Sequence, residues 1–93
     1  MGMDEIAAKM QERMAGSDFA NSVKFDCGTD GAIVIDGKTV SLSDAGADCI
    51  ITLTKEDLEA MIAGDLDPTA AFMQGKLRVD GNMSVAMQLS QVL

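Results

Sequence analysis

Asp67-Pro68-Thr69-Ala70-Ala71-Phe72-Met73-Gln74-Gly75-Lys76-Leu77-Arg78-Val79-Asp80-Gly81-Asn82-Met83 changes its hydrophobic period twice with hardly a linking residue. Asp67 before Pro68 is a helix N-cap followed by proline at the first helical position, where the missing N–H costs nothing. The short helix carries Ala70, Ala71, Phe72 and Met73, and Gly75 closes it. From Lys76 to Asp80 the alternation falls to two, which predicts a strand with Leu77 and Val79 inward. Gly81-Asn82 then starts a final helix, Met83 to Leu93.

Upstream, Thr54 followed by Asp57 resembles a capping box, and Leu53 and Leu58 sit where a hydrophobic staple would place them. That helix runs through Leu58, Met61 and Ile62 and stops at Gly64. Before it the period is again two. Ser22 to Cys27 alternates Val23, Phe25 and Cys27 with polar residues, and Ala47 to Leu53 places Cys49, Ile51 and Leu53 on one face. Ala32 to Ile35 and Lys38 to Leu42 flank Asp36-Gly37, read as a hairpin turn with positive φ at both residues. The chain opens with Met3, Ile6, Ala7, Met10 and Met14 at helical spacing, ending at Gly16. Five strands, mostly before the helices, with about four helices make the class α+β. No linker divides the chain, so residues 1–93 are expected to form one domain.

The net charge is −8, with no histidine. No basic patch is available to neutralise phosphates, which argues against nucleic acid and against a static anchor on anionic membranes. No signal peptide or membrane-spanning run is evident and the tail is not Ser-Lys-Leu, so the expected location is cytoplasmic. Cys27 and Cys49 form no CxxC and read as reduced, buried small hydrophobes, and neighbouring strands one and four would allow the two thiols to lie near each other.

The run Asp67 to Met83 resembles the C-terminal signature of the sterol carrier protein-2 (nonspecific lipid-transfer) family. Ala47-Asp48-Cys49-Ile50-Ile51-Thr52-Leu53, followed by Asp57-Leu58 and Gly64, resembles that family's preceding strand and helix. The resemblance implies a five-stranded, mostly antiparallel sheet in order 3-2-1-4-5, helices covering one face, and an apolar cavity between them. Such a cavity would hold a fatty acid, fatty acyl-CoA, phospholipid or sterol. The short chain, without Trp or Tyr, points to a cytosolic member of bacterial type. The expected lipid-binding residues are Phe25, Leu53, Met61, Ile62, Phe72, Met73, Leu77, Met83, Ala86 and Met87.

Catalytic signals are missing. Without histidine the commonest general base is absent, and neither cysteine has a partner base in the sequence. Asp26, Asp30, Asp36 and Asp44 read as turn formers, since their spacing is not that of a calcium loop. Gly28, Gly31 and Gly37 make no GxGxxG and read as hairpin glycines. No enzyme activity, cofactor or metal is expected.

Eight methionines against three phenylalanines suit a promiscuous apolar pocket, although composition alone favours Met10, Met14, Met61 and Met73 as plain core filler. Gly81 to Leu93 holds no charged residue, and its apolar residues span an arc of about 220°, leaving Ser84, Gln88 and Gln91 as the polar stripe. One packing surface needs only about half of that arc. The surplus is expected to meet a ligand, a partner chain or a membrane, which makes the helix a lid. Met83, Ala86 and Met87 lie toward one edge, Val85, Leu89 and Val92 toward the other, one set for ligand and one for core. The function expected is carriage of an apolar ligand, with transient membrane contact. The runner-up is a structural or protein-interaction module on the same fold. An acyl carrier protein shares the size and acidity, but its Asp-Ser-Leu attachment site is absent.

Overall fold

The computed structural model describes residues 2–92, with side chains through residue 89. Its elements are α1 (Met3–Ala15), β1 (Ser22–Asp26), β2 (Ala32–Asp36), β3 (Thr39–Leu42), β4 (Cys49–Thr52), α2 (Lys55–Ala63), α3 (Pro68–Met73), β5 (Arg78–Gly81) and α4 (Met83–Val92). A 3-10 turn, Gly28–Asp30, joins β1 to β2. The strands form one sheet in the order β3-β2-β1-β4-β5. Three pairings are antiparallel, and β1 with β4 is parallel. The class is α+β, with a mostly antiparallel sheet.

Alternation along the strands sends one set of side chains to the helices. Val23, Phe25, Ile33, Ile35, Cys49 and Ile51 join Ile6, Met10 and Met14 of α1 in the core. α1 packs over β3 and β2, and α4 over β1, β4 and β5. Gln11 of α1 also closes the outer edge of the sheet: its Oε1 accepts from the Val40 N–H at 2.9 Å, and its Nε2 donates to the Lys38 carbonyl. An unpaired strand edge is a template for aggregation, and here a side-chain amide occupies it.

From β3 at one edge the chain must reach the far side of β1. It crosses in residues 43–48, over the sheet face that the helices leave open. Lys24, outward on β1, forms an ion pair with Asp44 on this crossing. The Lys24 hydrogen bond, then its charge, holds the Asp44 carboxyl below the usual carboxylate range. Ser22 and Asp48 exchange bonds, Asp48 N–H to Ser22 Oγ at 2.9 Å and Ser22 N–H to Asp48 Oδ2 at 3.3 Å.

Local signals set the ends of the elements. Thr54 Oγ1 accepts from the Asp57 N–H at 3.1 Å, and Asp67 Oδ1 from the Thr69 N–H at 2.9 Å. Gly64 closes α2 in the left-handed conformation, and Arg13 of α1 donates to the Ile62 carbonyl near the same end. The hairpin reading at Asp36-Gly37 needs correction. Asp36 pairs with Thr39, so the turn residues are Gly37 and Lys38, and of the two only Gly37, at φ 61°, is positive. Positive φ at the first turn position alone is the II′ pattern, not I′.

The two thiols are also not together. β1 and β4 are neighbours, but Cys49 lies opposite Val23, four residues from Cys27. That separation is roughly 13 Å along the strand.

Candidate functional site

Sheet register builds the floor of a cleft. Phe25 on β1 lies opposite Ile51 on β4, and Ile51 opposite Val79 on β5, so three inward side chains form one row across three strands. Leu77, just before β5, extends it. Above this row a cleft of about 360 Å³ is walled by Met61 of α2, by Pro68, Thr69 and Phe72 of α3, and by Met83, Ala86, Met87 and Leu89 of α4. Among the described lining residues Thr69 carries the one polar side chain, and none is charged. Phe72, Met83 and Met87 are exposed at the rim.

Helical spacing decides which face of α4 meets the cleft. Met83, Ala86 and Met87 follow i, i+3, i+4 and share an edge. Val85 and Leu89 are buried in the core, with Leu89 reaching the cleft as well. α4 begins after Asn82, whose Oδ1 accepts from the Ser84 N–H at 2.9 Å. Gly81, at φ 109°, lets β5 approach β4: a Cβ there would stand 2.5 Å from the Asp48 carbonyl oxygen. The side chains of Gln91 and Val92, expected on the polar stripe and the second edge, lie outside the described residues.

Of the ten residues expected at the site, Phe25, Met61, Phe72, Leu77, Met83, Ala86 and Met87 border this cleft. Leu53, Ile62 and Met73 do not. Leu53 is the next inward position beyond Ile51, past the cleft, and is buried. Ile62 follows Met61 by one residue, a turn of about 100°, and faces the core instead. Met73 is 81% exposed, so it is neither lining nor core filler. Met10 and Met14 are fully buried. The sequence reading missed Ile51, Val79, Leu89, Pro68 and Thr69. Strand alternation already put Ile51 and Val79 on the inward phase; nothing local marked Pro68 and Thr69 beyond their place in a cap.

Among the described residues no titratable group lines the cleft. Cys27 and Cys49 are buried elsewhere. Burial, then the charges of Asp30 and Asp26, pushes the Cys27 thiol up to about 11, and burial also raises Cys49. Among the described residues no histidine, cysteine or carboxylate cluster could hold a metal ion, and no helix is long and apolar enough to cross a membrane.

The profile of the SCP-2 sterol transfer family matches residues 4–93. "Sterol carrier protein 2" of Oryctolagus cuniculus is 38% identical over 100 residues, which cover 95% of this chain and 18% of that protein. The chain thus spans less than a fifth of the length of such curated relatives. Among solved structures, the crystal structure of Sterol Carrier Protein 2 Like 2 from Aedes aegypti superposes with a TM-score of 0.81 at 20% identity, covering 97% of this chain and 94% of that one. Sterol Carrier Protein-2 from the same organism, solved in complex with palmitate, gives 0.74 at 25% identity, covering 95% and 90%. The fold is that of these proteins, and the chain belongs to the SCP-2 sterol transfer family.

Proposed function

We propose that this domain, residues 1–93, binds and carries a lipid in the cleft between its sheet and α2, α3 and α4, without catalysis. The observation that carries this reading is the lining itself: among the described residues, eleven apolar side chains and one threonine, with no charged group. An acyl chain loses nothing polar by entering such a site. Each buried methylene contributes about 0.8 kcal/mol, so a sixteen-carbon chain gains on the order of 12 kcal/mol before ordering costs. The volume is at the low end for ligand sites, about 300–1,000 Å³, which favours one slender chain over a two-chain phospholipid or a sterol. The palmitate held by the Aedes aegypti relative supports the same ligand class.

Among the described residues no titratable side chain lines the cleft, and that supports carriage over chemistry. A cytoplasmic carrier would load and unload by transient contact with membranes. Native mass spectrometry of freshly purified protein, followed by lipid extraction, tests the reading. One bound acyl lipid per chain is expected. A bare protein that takes up neither palmitate, acyl-CoA nor sterol would overturn it in favour of an interaction module.

A further inference from the structure

Charge is segregated along this chain in a way that its net value hides. Residues 1–65 hold thirteen of the fifteen acidic and five of the seven basic side chains, so the whole net charge of −8 lies there and residues 66–93 are neutral. The neutral part is α3, β5 and α4, which wall the cleft on the β5 side of the sheet. Among the described residues, four of the five large exposed hydrophobics also belong to it: Phe72, Met73, Met83 and Met87. Among the charges closest in the chain to the cleft, Asp67 caps α3, Lys76 and Arg78 flank Leu77, Arg78 and Asp80 flank Val79, and α2 carries Lys55, Glu56, Asp57 and Glu59.

We infer that the rim formed by α3 and α4 is a docking face for an electrically neutral lipid bilayer, used with the cleft mouth turned toward it. This rests on the carrier reading and adds the partner and the orientation. A chain of charge −8 is repelled from anionic bilayers, so only a zwitterionic surface meets the neutral face without an electrostatic penalty. Flexible exposed methionines and a phenylalanine enter the headgroup boundary with no charged side chain from α4 to desolvate. The orientation matters because a tail that passes from bilayer to cleft through a docked mouth never crosses water, whose contact is penalised methylene by methylene.

The chain has no tryptophan, so single-tryptophan variants report the face directly. Met73→Trp lies beside the rim but not in the cleft, and Leu42→Trp, 54% exposed on β3, is the control in the acidic part. With phosphatidylcholine vesicles carrying brominated chains, Met73→Trp emission should shift to the blue and be quenched about threefold or more, and Leu42→Trp should not respond. Met73→Glu should slow transfer of a fluorescent fatty acid to vesicles about fivefold, and leave its affinity in vesicle-free solution within about twofold. Equal quenching at both positions, none at Met73→Trp, unchanged transfer in Met73→Glu, or a blue shift without vesicles from self-association would each overturn the docking face. If the parent binds no fatty acid, the carrier reading fails instead, while the quenching still decides the face.

Discussion

At the scale of single residues, the buried thiols and one glycine give the sharpest expectations. A thiolate is the reactive form, and a Cys27 thiol held up to about 11 is almost wholly protonated at neutral pH. Native labelling of Cys27 with a thiol reagent at pH 7.5 should therefore run on the order of 10² slower than in the denatured chain, and Cys49, buried and shifted in the same direction, should also be slowed. The same shift has a sign in stability. Because the folded value is raised above the ordinary 9.0, the folded state holds this proton more tightly. Its contribution is complete below pH 9 and is lost as pH rises toward about 11. Cys27→Ala should flatten that part of the stability–pH curve relative to the parent, measured by urea unfolding. Gly81→Ala meets two obstacles, a φ of 109° and a backbone oxygen 2.5 Å from the new Cβ. A loss of at least about 1–3 kcal/mol is expected, read as a fall in Tm of several degrees. The sequence named this glycine only as a helix opener. Its close approach to β4 depends on strand pairing, which no local pattern states.

At the scale of elements, periodicity located nearly every helix and strand, because caps and alternation are local properties. Thr54, Gly64 and Asp67 mark ends that the backbone obeys. What periodicity leaves open is which neighbour an apolar face meets. The uncharged α4 shows the difference. Its wide apolar arc is legible in the sequence, and its division between core and cleft comes only from docking on β1, β4 and β5. Leu89 is 1% exposed, whereas Met87 is 62% exposed and borders the cleft. Leu89→Lys should thus cost about 3 kcal/mol or more, or unfold the protein. Met87→Lys should fold, since the lysine can reach water from the rim, and lose about tenfold in fatty-acid affinity. Thermal melts with a fluorescent fatty-acid titration on both variants check the pair. Equal effects on folding would show that α4 has no cleft-facing edge.

At the scale of the whole molecule, the open rim changes the energetics of the empty state. A sealed dry cavity of this size would cost roughly 24 cal/mol per Å³, a large part of the stability of a small domain. With Phe72, Met83 and Met87 at an exposed rim, the cleft is open and not sealed, and that figure does not apply. On the proposed carrier function, ligand adds to the stability of the folded state. At about 100 times the dissociation constant, palmitate should contribute roughly 2.7 kcal/mol, seen as a rise in Tm. The family resemblance was legible in residues 47–83, and the cleft drew mostly on that stretch and on α4. The methionines offer the most direct test of where ligand sits. In a carbon-13 methyl spectrum, titration with palmitate should move the signals of Met61, Met83 and Met87, which border the cleft, and leave the buried Met10 and Met14 of α1 in place. Movement of Met10 and Met14 alone, or no movement at all at saturating palmitate, would contradict the account.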